Sequence, residues 1–433
     1  WWLALAGAGA PLAATFLWLG AGWQQDLREL VGSAGPAWHP VPVALASAGV
    51  FAVLLAGSRA VRLGTRRLAG TFGRFSPRPV ASVAAVGVVA ALSFGLGQGV
   101  VFNGFVDVAD RFAAAANDST RVGVTRPASP YVSGAPGSLV PWDSLGAYGR
   151  EFTAGAVPHH ELATFATGAA EPPVRVYVGR DSAPDLAGQA ELAVRELERT
   201  GGFDRSVLAV VATTGTGWVN PAVPESIEYL TAGDSATVAM QYSYLPSWIS
   251  FLADRSTAAE AATTLVDAIQ AELATRPAGQ RPALVVYGES LGAWGLEAAY
   301  GDLDGLLAGT DRALLAGPPH SNPIWQAVTG DRAPDGPVWQ PYPGMVYLQN
   351  RNDPVVVWSP ELLWRPPDAP DTPGRWLPVV TFWQVTVDLI TSTKAPSGHG
   401  HSYQDGIADG WAQLLAPPGW TDADTARLRA ELG

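Results

Sequence analysis

Hydrophobic positions along the chain fall into two regimes. In the first hundred residues they form unbroken runs at 1–22, 41–57 and 80–101, with no charged residue inside any of them. Each run is long enough to span a bilayer as a helix. Trp1, Trp2, Trp18 and Trp23 lie near the ends of the first run, as an interfacial aromatic belt requires. A buried core helix would account for one such run, but hardly for three within about 105 residues. A Gly/Pro/Ser-rich connector with few sustained patterns follows from 103 to 171, with a short helix expected at 107–116. From 174 onward the pattern alternates. Strand-like apolar runs at 174–178, 207–212, 237–244, 283–287, 313–316 and 345–349 are separated by helical stretches at 186–200, 256–275 and 293–300. Strands alternating with helices predict an α/β fold with a doubly wound, mainly parallel sheet, whose site lies at the strands' C-terminal ends. The organisation read from the pattern is a transmembrane helical region (1–105), an extracytoplasmic connector (106–172) and a catalytic domain (173–433). No internal repeat is visible.

The strand predicted at 283–287 ends in Gly288-Glu289-Ser290-Leu291-Gly292, and a helical stretch follows at once. Strand, G-x-S-x-G and helix together describe a nucleophile elbow. The turn is tight enough to force strained backbone angles on Ser290, and only glycine lets the neighbouring backbones pass. With 48 glycines in the chain, the five-residue motif alone would be weak. Its strand-and-helix context gives it weight. In this arrangement the acid and then the histidine follow the serine along the chain. Of six histidines (His39, His159, His160, His320, His399 and His401), only His399 and His401 follow any plausible acid. Both lie in Gly398-His399-Gly400-His401-Ser402-Tyr403. A metal site is disfavoured, since no third ligand lies near this pair. Asp353, just past the 345–349 strand and fixed by Pro354, suits the group that holds an imidazole in one tautomer. Both histidines stay candidates; His401 is preferred because Ser402-Tyr403 gives it a His-x-aromatic context.

An oxyanion hole needs a second amide beside that of Leu291. The loop Thr213-Thr214-Gly215-Thr216-Gly217-Trp218 after the 207–212 strand offers Thr214 or Gly215. A phosphate-binding turn is the alternative, but no P-loop Lys or Ser/Thr follows. Trp218, Tyr242, Tyr244, Trp248, Trp325, Trp339 and Tyr342 are singly packing residues. Taken together they predict an apolar cleft for acyl chains. His320, after Gly317-Pro318-Pro319, lines the site or is simply packed. The predicted chemistry needs no cofactor and no metal.

Several longer motifs carry a family resemblance: Thr-Gly-Thr-Gly-Trp (214–218), Gln-Tyr-Ser-Tyr-Leu-Pro-Ser-Trp (241–248), Gly-Glu-Ser-Leu-Gly (288–292), Gly-Pro-Pro (317–319), Tyr-Leu-Gln (347–349), Asp-Pro-Val-Val (353–356) and Gly-His-Gly-His-Ser-Tyr (398–403). With Gly-Ser-Leu-Val-Pro-Trp-Asp at 137–143, the chain resembles the actinobacterial membrane-anchored α/β-hydrolases over nearly its whole length. That resemblance implies an N-terminal multi-helix membrane region, an α/β-hydrolase domain and serine-hydrolase activity; it implies no particular substrate. One departure is the segment 376–393, which reads as an amphipathic helix where the hydrolase pattern expects the last strand.

Charge refines the picture. The chain carries 27 basic and 39 acidic residues, for a net charge of −12. Residues 1–105 hold only 2 acids and 7 arginines, which leaves the remainder near −17. Such a surface disfavours nucleic acid and anionic lipid. The link between the second and third runs carries Arg59, Arg62, Arg66, Arg67, Arg74 and Arg78 without an acid, so the positive-inside rule puts it in the cytoplasm and the catalytic domain outside. Trp1 is not a start methionine, so preceding sequence is expected, and the first run reads as a retained anchor rather than a cleaved signal. The absence of cysteine excludes disulfides and a thiol nucleophile. The expected activity is hydrolysis of carboxylic esters or thioesters of lipid-like substrates at the cell envelope. An envelope acyltransferase sharing the same acyl-enzyme and a non-catalytic binding module are the competing readings. A transporter is disfavoured because the spans hold no charge.

Overall fold

The computed structural model describes residues 40–74, 77–95, 99, 103–253, 255–331, 334, 336–367, 376–392 and 395–433, with scattered positions between 7 and 25. The chain divides into two compact units, Trp1–Ala109 and Asp110–Gly433. In the first, α1 (Pro40–Phe72) packs against α2 (Arg78–Gly95), and Gly64 of α1 faces Val89 of α2. Much of the Arg-rich segment predicted as a link is therefore helical. α1 runs on past the apolar stretch, because Arg59, Arg62, Arg66 and Arg67 are good helix formers with no proline among them, and they outweigh the single Gly64. Among the described residues no helix is long and apolar enough to cross a membrane. The predicted spans at 1–22 and 80–101 extend into residues outside the described ones.

The second unit is built on a seven-stranded sheet of order β1-β3-β2-β4-β5-β7-β6. Its strands are β1 (Val174–Val178), β2 (Val207–Ala212), β3 (Ser235–Met240), β4 (Ala283–Glu289), β5 (Arg312–Ala316), β6 (Val338–Tyr342) and β7 (Met345–Leu348). Five of the six pairings are parallel, and only β6 runs antiparallel, against β7. β1, β2, β3 and β7 are continuous Val/Leu/Ala/Met-rich runs buried along nearly their whole length, as strands covered on both faces must be. One helical layer contains α5 (Leu186–Thr200), α7 (Arg255–Thr275) and α8 (Leu291–Tyr300); another pairs α6 (Ala222–Leu230) with α12 (Gln404–Leu415). This is the α/β, mainly parallel architecture expected from the alternation.

Three local expectations change. β3 ends at Met240 rather than 244, because Gln241–Ser243 turns away and Gln241 instead serves the loop after β2. β6 was not foreseen: it carries Pro341, which cannot donate to a ladder and so belongs on an edge strand, where β6 lies. The connector is more ordered than its composition suggests. The short helix expected at 107–116 is present and longer, α3 (Asn103–Asn117); α4 (Gly146–Ala154), which was not expected, also forms within it, and Val132 bridges to Arg175 of β1. Arg175 is itself buried, where a fork of hydrogen bonds to Glu228 of α6 compensates its charge. The segment before the His loop is helical, α11 (Val380–Thr391), as its pattern indicated. Residue 393 of that segment, Lys394 and the side chain of Trp248 lie outside the described residues.

Candidate active site

β4 lies at the centre of the sheet, and the chain leaves it through Ser290 directly into α8. Ser290 has φ 57° and ψ −118°, a region that side chains other than glycine rarely enter. Its amide is tied to Ala316 O of β5 at 2.9 Å, and its own carbonyl accepts from Trp294 N at 3.2 Å. The two motif glycines have distinct steric reasons. A Cβ on Gly288 would meet the Gly292 carbonyl carbon at 2.6 Å, and a Cβ on Gly292 would collide with the carbonyl oxygen of Ala212 on β2. Glycine at both places lets strand, turn and helix close on one another. Leu291, at the first turn of α8, is buried, and the first-turn amides of a helix have no intrahelical partner.

Asp353 follows β7, fully buried, and caps the short helix α10 (Pro354–Val357) by accepting from Val355 N at 2.8 Å. Its second oxygen, Oδ2, lies 2.7 Å from His401 Nδ1 and also accepts from the Tyr403 hydroxyl. A carboxylate can only accept, so Nδ1 carries the ring proton and Nε2 is left with its lone pair. Nε2 is buried and has no hydrogen-bond partner. Burial works against a charged His401, but the charge and hydrogen bond of Asp353, with the charge of Glu289, outweigh it and raise the ring's pKa. Burial, and then the neighbouring Asp353, push the Tyr403 phenol far above its usual range, so it stays a donor.

Two asparagines absent from the sequence-based candidates fix this corner. Asn350 Nδ2 donates to the carbonyls of Gly400 and Ser402, both at 3.0 Å, and Asn352 Oδ1 accepts from Gly400 N at 3.0 Å. The His401 amide donates to Ser392 O at 3.0 Å. His399, by contrast, is half-buried with Nδ1 3.5 Å from the Asn352 amide nitrogen. Of the two candidate histidines, His401 is the one on Asp353.

Serine and histidine each touch one of two adjacent residues, Ala316 at the end of β5 and Gly317 after it. Gly317 follows Ala316, the residue that receives the Ser290 amide. At φ 50° it presses so closely on the imidazole that a Cβ there would lie 2.5 Å from His401 Cε1. The oxyanion candidates are packed more tightly than expected. Thr214 N donates to Trp218 O at 3.3 Å, and Gly215 N to Ser247 Oγ at 3.3 Å. The loop is further held by the Tyr177 hydroxyl on Gly217 O at 2.7 Å and by Gln241 Nε2 on Thr216 O at 2.8 Å.

The aromatic residues divide. Trp325 and Trp339 are buried and pack on Tyr347, edge-on at 4.9 Å and stacked at 6.2 Å between ring centres, so they belong to the core. The pocket behind the turn, beside Gly292, Thr213 and Tyr242, has room for only about 10 Å³. A larger cavity of about 460 Å³ lies beside the Asp353 loop and includes His320, Gln349, Arg351 and Val356 in its walls. Neither Ser290 nor His401 lines it. Among the described residues no group of three or more His, Cys, Asp or Glu could hold a metal.

An α/β fold with a strained serine between a central strand and its helix, and a buried acid–histidine pair beyond it, defines the hydrolase class of α/β proteins. The chain belongs to the alpha/beta-hydrolase family: that family's model matches residues 174–344 and 342–428, and the model of the same family's N-terminus matches residues 1–156. No curated protein matches the chain.

Proposed function

We propose that the protein is a serine hydrolase that cleaves carboxylic ester or thioester bonds of lipid-like substrates through Ser290, His401 and Asp353. The observation that carries this reading is the lone, buried Nε2 of His401, left as an acceptor by the Asp353 bond and held against the backbone to which Ser290 is tied. Ser290 Oγ attacks the carbonyl carbon while its proton passes to Nε2, and Asp353 stabilises the resulting imidazolium. The oxyanion forms beside the Leu291 amide. Thr214 or Gly215 supplies the second donor by exchanging its 3.3 Å bond for the stronger one to a charged oxygen. Collapse expels the alcohol or thiol with the proton from Nε2. Water, activated by the same nitrogen, then releases the acid.

Labelling with a fluorophosphonate probe tests this directly. Wild type is expected to label at Ser290 and Ser290→Ala is not; a folded wild type that resists the probe overturns the reading. Product formation that depends on an added alcohol acceptor would redirect the same acyl-enzyme to acyl transfer.

Membrane anchoring with an extracytoplasmic catalytic unit is part of the same proposal. It is supported by the three uncharged runs and by apolar side chains that α1 and α2 turn outward, such as Leu45, Phe51, Val53 and Val83. The described helices do not themselves meet the length and hydropathy of a span. Retention of the full chain in carbonate-washed membranes, with the 173–433 region open to protease from the outer side, is the expected result. Release by carbonate would overturn it.

A further inference from the structure

The loop from Thr213 to Trp218, which carries the second oxyanion donor in the proposed reaction, is fastened from behind. It leaves β2 against the first turn of α8: a Cβ on Gly292 would come 3.4 Å from Thr213 O. Its turn is closed by Gly217 N on Thr214 O at 2.9 Å. Two further carbonyls of the loop are taken by buried side chains. Thr216 O accepts from Gln241 Nε2 at 2.8 Å, and Gly217 O accepts from the Tyr177 hydroxyl at 2.7 Å.

Gln241, just past β3, has one way to present its carboxamide. Arg180 N, which can only donate, lies 3.3 Å from Oε1, and Thr216 O can only accept, so Nε2 faces the loop. The other Nε2 hydrogen goes to Asn117 Oδ1 at 3.0 Å. Asn117 is the last residue of α3, 124 positions earlier in the chain, and it too is buried. The connector seats it. Ala147 N of α4 donates to the same Oδ1 at 3.3 Å, and Gly146, at φ 71°, leaves the carboxamide the space that a Cβ would fill. α4 also backs Tyr177: Phe152 packs on its ring at 5.6 Å between centres, and a Cβ on Gly149 would strike that ring. Each of the two loop carbonyls thus rests on a side chain that the connector holds in place.

We propose that Asn117 is a positioning residue for the reaction: through Gln241 it fixes the turn of the oxyanion loop, so that the connector, and not the sheet alone, sets where the second donor amide stands. The inference rests on the proposed acyl-enzyme chemistry and its oxyanion loop. Without Asn117 the turn keeps its Gly217–Thr214 bond, but the carboxamide that grips Thr216 O is no longer held from its far side. A donor amide that drifts loses most at the transition state, where the oxygen carries full charge, and little in the ground state. kcat therefore falls while KM stays.

The test is a double-mutant cycle on p-nitrophenyl ester hydrolysis by the full chain in detergent, with the fold of each variant checked by thermal unfolding. Asn117→Ala is expected to lower kcat about tenfold and to leave KM within about twofold. Asn117→Asp, which keeps an oxygen for Gln241 and Ala147, is expected to recover most of that loss. Gln241→Met, similar in length but without a donor, is expected to cost about tenfold or more, and the double variant Asn117→Ala, Gln241→Met no more than Gln241→Met alone. Losses that multiply in the double variant overturn the inference, because Asn117 then acts by another route than Gln241. A folded Asn117→Ala with wild-type kcat overturns it too, as does one whose KM rises while kcat holds. If Gln241→Met fails to fold, the pair at position 117 decides: recovery in Asn117→Asp supports the inference, and equal losses from Ala and Asp overturn it. Fluorophosphonate labelling separates this failure from that of the reaction. If wild type labels at Ser290 and the expected losses are absent, only the role of Asn117 falls; if wild type does not label, the hydrolase reading falls with it.

Discussion

Ser290 and His401 stand on two differently built parts of the molecule. The serine sits in a five-residue turn whose geometry is imposed by its own neighbours: a central strand before it, a helix after it, and two glycines where a Cβ would strike backbone. The histidine sits on a loop with no regular structure, and a partner 48 residues away in sequence holds its ring. What orders that loop is a set of side-chain bonds, from Asn350 and Asn352 to the carbonyls and amide of residues 400 and 402. One half of the site is thus stiff by covalent proximity and packing, the other by a few polar contacts between loops. The contrast teaches that the pose of the proposed nucleophile survives most distant changes, whereas the proposed base depends on bonds that single substitutions remove.

The largest effect to expect is at the stiff half. Ser290→Ala deletes the attacking oxygen without disturbing the turn, since alanine fits wherever serine does. It should lower kcat by about 10⁴ or more. Retained ester hydrolysis in a folded variant would show that another group attacks. At the other half, the two histidines should separate sharply. His401→Ala is expected to cost about 10³-fold or more in kcat/KM by the same logic of a unit that acts together. His399→Ala, which leaves the Asp353 bond intact, should cost less than about threefold. Comparable losses from both would sink the assignment of His401 and make the loop as a whole, not one ring, the functional element.

Asn350→Ala tests the contrast itself. It removes both amide bonds to residues 400 and 402 while leaving every reacting group in place, so kcat/KM should fall about tenfold through a loosened base. The turn at Ser290 should be unaffected. Hydrogen exchange is the discriminating readout: faster exchange confined to about residues 395–403 supports two separately built halves, and faster exchange that spreads into α8 refutes them.

The same division decides what the chain's own sequence discloses. Five consecutive residues with a strand before and a helix after are a local pattern, so the serine, its glycines and the parallel core could be read directly. Ser, then Asp, then His along the chain is an order, which narrowed the proposed base to His399 and His401, and the His-x-aromatic context favoured His401 without showing what holds it. The choice follows from Asn350, Asn352 and Ser392, which place loop residues that no periodicity marks. Glu289 was visible as the second residue of the motif, but the bond that its carboxyl accepts from Asn220, 69 positions earlier, was not. Edge strand β6 was obscured by Pro341, and α4 of the connector by a composition that reads as linker. Aromatics expected at the mouth proved partly core, since a tryptophan in a loop and one on an edge strand look alike in sequence.

The smallest effect concerns the strut that joins the two halves. Glu297 of α8 accepts from the amides of Ile324 and Trp325, which open α9 (Pro323–Asp331), and from the Tyr347 hydroxyl of β7, the strand that leads to Asp353. Burial pushes its carboxyl up to about 7 against the pull of those donors, from an ordinary value of 4.5. The folded protein therefore holds this proton more tightly than the unfolded chain does. Stability contributed by the group is whole below pH 4.5 and is lost as the pH rises towards 7, beyond which the loss is complete. Glu297→Gln keeps one oxygen for the two amides, turns an NH2 towards the Tyr347 hydroxyl, which can accept as well as donate, and cannot ionise, so its thermal unfolding midpoint should change less than the wild-type midpoint between pH 5 and pH 8. The variant should close on or overtake wild type at the alkaline end. Parallel curves would mean that Glu297 keeps an ordinary acidity when folded, and that the strut between the two halves is charged at neutral pH rather than held by a shared proton.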